Sequence, residues 1–276
     1  ILEATVAPDN TSINGEITAQ LTISGKQYNK AIQRIEYDHI PYQFILSDAK
    51  SKLVKIDLKK TGTNIGYVPG AGDDIPACLK QIGYTVTTLT DELLAKEDLS
   101  KYQAIVTGVR AYNTNERLPI YYPKLMDYVS KGGNLIVQYN TNGRGESLTN
   151  KIGPYPFTIS RDRVTDENAE IKITNANHSV VNAPNIITSK DFEGWIQERG
   201  IYFATDLDKN YETIFSMHDA NEKSSDGSLI IGKYGKGNFV YSGIVFFREL
   251  PAGISGAYRL FTNLLSLPKN KPDQIK

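Results

Sequence analysis

The stretch from Asn64 to Gln138 constrains the fold more than any other part of the chain, because short apolar runs alternate there with helix-forming patterns. Ile65–Val68, Tyr84–Leu89, Tyr102–Thr107 and Asn134–Gln138 each read as a strand, rich in β-branched and aromatic residues and bounded by turn formers. Between them the sequence predicts a helix capped by Asp73 or Asp74, with Pro76 in its first turn and Gly83 at its end. A short helix starts at Thr90-Asp91-Glu92, and another lies near Pro123–Lys131. Strands that are apolar throughout need cover on both faces, and strand–helix–strand repeats of this length give parallel pairing with right-handed crossovers. A mainly parallel α/β sheet is therefore expected. Its ligand-competent loops would lie beyond the carboxyl ends of its strands.

The flanks of this stretch are β-rich. Residues 1–59 carry the alternating run Glu16–Ile23, shorter strand candidates at Gln33–Tyr37, Gln43–Leu46 and Leu53–Leu58, and the turn signals Asn14-Gly15 and Ser24-Gly25. That is too little for a complete sandwich and reads as the end of one, or as a packed β-layer. Residues 60–276 form the α/β part. After Gln138 come short strands at Phe157–Ser160, Ala169–Ile173, Ile201–Ala204 and Thr213–Met217, and a short helix from Thr188 with Phe192 and Trp195 on its apolar side. Ser228–Lys233 and Asn238–Val245 read as a hairpin around Tyr234-Gly235-Lys236-Gly237, and Ser255 caps a last amphipathic helix through Leu265.

Composition sets the outer limits. With 31 basic and 31 acidic residues the chain has no global pull toward nucleic acid or anionic membrane. No apolar run is long enough to span a bilayer. The single cysteine, Cys78, leaves no internal disulfide. The chain begins at Ile1 in what reads as mid-domain, so a fragment of a longer protein is expected.

The ends of the expected strands define one rim, with Gly132–Arg144 at its centre: a strand that runs into the polar shelf Gln138, Tyr139, Asn140, Thr141 and Asn142. The ligand-binding candidates on it are Asp73, Arg110, Asn113, Gln138, Tyr139, Asn140, Arg248 and Glu249. Such amides, guanidinium groups and a phenol suit sugar hydroxyls or a small carboxylate. The alternative is that Arg110 and Arg248 pair with Asp73 and Glu249 to hold loops.

No catalytic residue is assigned. Cys78 falls inside the first predicted helix, where a buried, inert thiol is expected. Gly253-Ile254-Ser255-Gly256-Ala257 misses the nucleophile-elbow pattern. His39, His178 and His218 stand alone, so no metal is expected. Gly70-Ala71-Gly72 is not a nucleotide loop, because Ile75 replaces the third glycine and two aspartates would repel phosphate. No cofactor is expected.

On the motifs NIGYVPGAGDDIPACLKQIGY, AIVTGVRAYNTNERL, GGNLIVQYNTNG, GWIQERGIYF and YGKGNFVYSG…FFRELPAGISGAYRLFTNLL, the chain resembles the C-terminal region of large bacterial PIG-L/LmbE deacetylase-like proteins. That region is similar in layout to class I glutamine amidotransferase-like domains, including the ThuA-like branch associated with sugar utilisation. The resemblance runs from about residue 30 onward. It implies a flavodoxin-like, three-layer sandwich with a mainly parallel central sheet and, at its N-terminus, the small β-rich segment. It places the amidotransferase nucleophile after the strand Leu135–Gln138, where Gln138, Tyr139 and Asn140 stand, and its histidine near Phe246, Phe247 and Arg248. Neither nucleophile nor base is present there, and the zinc motif of the deacetylase domain is absent from the chain. The expectation is a non-catalytic accessory domain that binds a carbohydrate or amino-sugar ligand, or docks to an N-terminal deacetylase domain of the same parent. The alternative is a sugar-directed hydrolase using Tyr139, Arg110 and Glu249 or Asp73. Family proteins are often exported, and the lone cysteine is compatible with a periplasmic or extracellular location.

Overall fold

The computed structural model describes residues 14–142 and 152–269. The expected segment's residues 1–13, and Gly143 and Arg144 of the central stretch, lie outside the described residues. Contacts divide the chain into two compact units at Asp57 and Leu58.

In the first unit the described strands are β1 (Asn14–Thr18), β2 (Leu21–Ile23), β3 (Lys26–Tyr28), β4 (Lys30–Ile35), β5 (Gln43–Asp48) and β6 (Lys50–Val54). They pair antiparallel as β1–β6, β2–β3 and β4–β5. The expected strand Glu16–Ile23 breaks at Ala19, because its first half pairs with β6 and its second with β3. At the crossing point Ala19 N–H donates to Ala49 at 2.8 Å, and Ala49 N–H donates to Asn29 at 2.8 Å.

The second unit begins with β7 (Asn64–Val68), α1 (Ile75–Gln81), β8 (Thr85–Thr88), α2 (Asp91–Lys96), β9 (Ala104–Thr107), α3 (Ala111–Thr114), α4 (Tyr122–Ser130) and β10 (Asn134–Gln138). Short pieces follow: β11 (Thr158–Ile159), β12 (Arg163–Val164), β13 (Ile171–Ile173), α5 (Ser179–Asn182), β14 (Gly200–Ile201), β15 (Ala204–Thr205), β16 (Tyr211–Thr213) and β17 (Phe215–Met217). It closes with β18 (Leu229–Tyr234), β19 (Gly237–Ser242), α6 (Phe246–Glu249) and α7 (Ser255–Leu265).

One seven-stranded sheet has the order β16-β18-β19-β10-β9-β7-β8. The pairs β7–β8, β7–β9, β9–β10 and β10–β19 are parallel, while β18 runs antiparallel to both its neighbours. The five parallel strands thus stand in the order second, first, third, fourth, fifth, which is that of doubly wound flavodoxin-type sheets.

Alternation along the strands feeds two cores. Val68, Ile105, Leu135, Val137, Phe239 and Tyr241 join Leu94 of α2 and Leu125, Met126 and Val129 of α4 in one buried cluster. Ile65, Tyr67, Val106, Ile136 and Val240 face the other way, toward α1 and α7, whose Leu79, Leu260, Phe261 and Leu264 are fully buried.

Three expectations shift in detail. Ile201–Ala204 is not one strand, because Tyr202 adopts a left-handed conformation (φ 54°) between β14 and β15. The last strand, expected to run to Val245, stops at Ser242, and Phe246–Glu249 beyond it forms a helical turn. Ser255 is the first residue of α7 and makes no capping bond; the extended Ile254 occupies the cap position.

Candidate functional site

The order of the parallel strands reverses between β7 and β9, and open α/β sheets hold ligands in the crevice at such a point. Here that crevice is closed by backbone. Gly108 N–H donates to Val68 and Ala71 N–H donates to Val109, each at 2.8 Å. A Cβ at Gly70 would lie 2.2 Å from the Val109 carbonyl oxygen. Asp73 stitches the two loops: its carboxylate accepts from Tyr67 Oη at 2.6 Å, Val109 N at 3.0 Å, Ile75 N at 3.1 Å and Gln138 Nε2 at 3.4 Å. The beginning of α1 is thus fastened by Asp73, and Asp74 at the cap position makes no side-chain bond.

The amides of the shelf are engaged in the same manner. Asn140 is fully buried; its Oδ1 accepts from Tyr112 N at 2.9 Å and its Nδ2 donates to the Gln138 carbonyl at 3.0 Å. Asn113 imitates a strand residue: Oδ1 accepts from Thr141 N at 2.8 Å, and Nδ2 donates to the Thr141 carbonyl at 3.0 Å. Gln138 is buried too. Its Nε2 also reaches the Thr107 carbonyl at 3.3 Å, while its Oε1 has no partner among the described residues.

Arg110, Tyr139 and Arg248 converge at an open corner beside this tied core. The sharp strand-to-helix turn follows β9, not β10: Arg110 sits there in the left-handed region (φ 58°, ψ 26°), immediately before α3. Gln138–Asn140, expected at such an elbow, runs on as shelf. The turn is locked because Arg110 N–H donates to the Tyr139 carbonyl at 2.8 Å, and a Cβ at Gly108 would lie 2.4 Å from Tyr67 Oη. The Arg110 side chain is exposed, and no hydrogen bond or ion pair among the described residues engages its guanidinium.

The Tyr139 ring lies against two further rings. Tyr202 stacks on it with 5.7 Å between centroids and 7° between planes, and Phe247 packs at 5.4 Å and 44°. Burial pushes the Tyr139 phenol up from its ordinary pKa, and the nearby Arg110 and Arg248 pull it back. Among the described residues no carboxylate hydrogen-bonds the Tyr139 hydroxyl. Arg248 lies over the Phe247 ring and pairs with Glu198, Nε to Oε1 at 3.0 Å.

Glu249 is fully buried behind this pair and accepts from Ile196 N at 3.2 Å through each carboxylate oxygen. Loss of hydration pushes its pKa up to about 7, against the opposing pull of the Ile196 N–H and of Arg199 and Arg248. The expected pairings of Arg110 and Arg248 with Asp73 and Glu249 are not the ones made.

The loop that ends in Tyr202 thus supplies two groups not foreseen from the sequence, Tyr202 and Glu198, and Gln197 in the same loop is also left-handed (φ 65°). Left-handed bulky residues cost of order 1–3 kcal/mol each, and such strain gathers at functional sites. Nothing in the local sequence marks them, because Ile201–Ala204 reads as an ordinary strand.

The other chemical groups are placed elsewhere. Cys78 is buried in α1, its thiol pushed up by burial and hydrogen-bonded with Tyr258. His178 Nδ1 accepts from Val180 N at 3.1 Å to begin α5. No cluster that could hold a metal ion occurs among the described residues. Among the described residues no helix is long and apolar enough to cross a membrane. A cavity of about 530 Å³ lies at the opposite end of the sheet, around Asn64, Gln103 and Asn134 at the strand starts. A second, of about 360 Å³, lies beside Arg199. None of the eight candidate residues lines either cavity.

No protein-family description matches the sequence, and no curated protein does. Solved structures do resemble the chain. A cytoplasmic protein from Salmonella typhimurium LT2 superposes on 75% of the chain and 100% of its own, with 14% identity and a TM-score of 0.47. A ThuA-like protein from Parabacteroides merdae ATCC 43184 covers 76% of the chain and 93% of its own, at 12% identity and a TM-score of 0.44. A cold-adapted β-galactosidase from Rahnella sp. R3 covers 75% of the chain at 12% identity and a TM-score of 0.43, and the chain spans 32% of that enzyme's length.

Proposed function

We propose that residues 58–276 form a non-catalytic, amidotransferase-like binding domain that takes a carbohydrate-type ligand at the corner formed by Arg110, Tyr139, Tyr202 and Arg248. The observation that carries this reading is the pair of strained residues, Arg110 and Tyr202. One presents a guanidinium without a partner among the described residues and the other a half-buried ring stacked on Tyr139. Aromatic faces receive the C–H face of a sugar, while guanidinium groups hydrogen-bond its oxygens.

The strand-to-helix turn at which a nucleophile could stand holds Arg110, and none of the histidines hydrogen-bonds to any group at the corner. Covalent acyl transfer needs a nucleophile beside a base, so binding is the better reading than hydrolysis. Membership in a PIG-L/LmbE deacetylase-like parent, with docking to its deacetylase domain, is proposed on the motif resemblance alone. Within such a parent the domain would hold the sugar chain on which its partner acts.

Isothermal titration of the 276-residue chain with neutral, amino and acidic mono- and oligosaccharides tests the binding. Heat of binding that is lost in Arg110→Ala is expected. Absence of binding across the panel, or binding untouched by that substitution, would overturn the site.

A further inference from the structure

The charges around the corner bear on which sugars it accepts. Arg248 is offset by Glu198 at 3.0 Å. The Glu249 carboxylate is buried and turned toward Ile196 N, and the Asp73 carboxylate is taken up by four donors from β7, α1, the turn after β9 and β10. Arg110 remains, exposed and unpaired among the described residues. Its backbone is held in a conformation that glycine would adopt at lower cost. A residue kept at a strained position, with its charge left free, fits a role outside the fold's own bonding.

Among the described residues at the corner Arg110 alone carries a charge without a partner, and its guanidinium is a planar fork that matches a carboxylate. Tyr202, half-buried, stacks within 7° of parallel on the buried Tyr139, whose ring also packs against Phe247, so Tyr202 is the ring available at the corner. A ligand that satisfies both features has one carboxylate and a ring with a C–H face.

We infer that the corner selects carboxylated sugars, of the uronic acid type, over neutral or amino sugars, with Arg110 gripping the carboxylate and Tyr202 stacking on the ring. This rests on the carbohydrate reading above. An amino sugar would bring a second positive charge beside Arg110 and Arg248, and a phosphorylated sugar would bring about two negative charges to one free guanidinium.

The test is titration calorimetry of the whole chain with glucuronate, glucose, glucosamine and benzoate at pH 7.5 and low salt. Glucuronate should bind about tenfold or more tighter than glucose, the strength of one charge-assisted contact, and its advantage should shrink as salt is raised. Glucosamine should bind more weakly than glucose. Arg110→Gly should remove the preference for glucuronate while leaving the melting temperature unchanged or higher, which separates loss of binding from loss of fold. Equal binding of glucose and glucuronate would overturn the inference and leave the carbohydrate reading standing, whereas a preference that survives Arg110→Gly would overturn both the inference and the placing of the site at Arg110. Benzoate binding as tightly as glucuronate would overturn the sugar part. Failure of every sugar to bind would remove both readings together.

Discussion

Single side chains at the rim divide by what already occupies their polar atoms. Asp73, Asn113 and Asn140 are polar residues at strand ends, the usual signature of a ligand rim, yet their hydrogen bonds run to neighbouring loops. A buried backbone N–H left without an acceptor costs about 1–3 kcal/mol, so loops that meet at strand ends need such side chains as partners. Glu249 shows the opposite economy: a carboxylate stripped of water with only one N–H and distant guanidinium groups in return. Its pKa rises to about 7 in the folded chain from an ordinary value of 4.5. The folded state therefore binds more protons than the unfolded state across that window, and stability falls as pH rises through it. Glu249→Gln keeps an acceptor for Ile196 N–H and removes the charge. It should raise stability at pH 8 by up to about 3 kcal/mol and change it little at pH 4.5, as read from urea unfolding at the two pH values. An equal effect at both would show that Glu249 is not protonated on folding.

Among elements, the turns decide more than the strands. β7, β9 and β10 are nearly the same buried cassette, but among the described residues only the turn after β9 places a left-handed non-glycine residue at the rim. It can do so because Gly70 and Gly108 let two loop backbones meet at the point where the strand order reverses. Gly70→Ala would drive a methyl group to 2.2 Å from the Val109 carbonyl oxygen. Backbone on both sides leaves no flexible side chain to yield, so this substitution should cost more than about 2 kcal/mol in chemical denaturation and shift the turn that carries Arg110. An unchanged midpoint would mean that the two loops part readily. The break of Ile201–Ala204 at Tyr202 belongs to the same scale. Its apolar residues are those of a strand, and the turn between them arises because β14 pairs with β12 and β15 with β11.

The second unit holds the core on the scale of the whole molecule. Its largest buried side chains, among them Tyr241, Phe203, Phe215, Phe239, Phe246 and Phe261, come from β19, the loops before β15, β17, α6 and α7. The first unit, by contrast, leaves Leu21, Ile32, Phe44 and Leu46 each more than half exposed. Residues 58–276 expressed alone should therefore unfold in one cooperative transition, followed by the fluorescence of the only tryptophan, Trp195, which is 3% exposed. A broad, non-cooperative transition would show that the core is incomplete without the first unit.

The sequence by itself determined the parallel α/β sheet, its helices and the closing hairpin, because apolar periodicity and Gly, Pro and Asx punctuation act over a few residues. It also marked Arg110, Tyr139 and Arg248 as neighbours of strand ends. The tertiary structure decided which of the polar candidates have free atoms. It also put Tyr202 from a distant loop on Tyr139, and set the strained turn at Arg110 in place of Gln138. Those outcomes depend on which loops meet and which backbone groups are left wanting partners, and both are fixed only when the sheet brings residues 60 or more positions apart into contact.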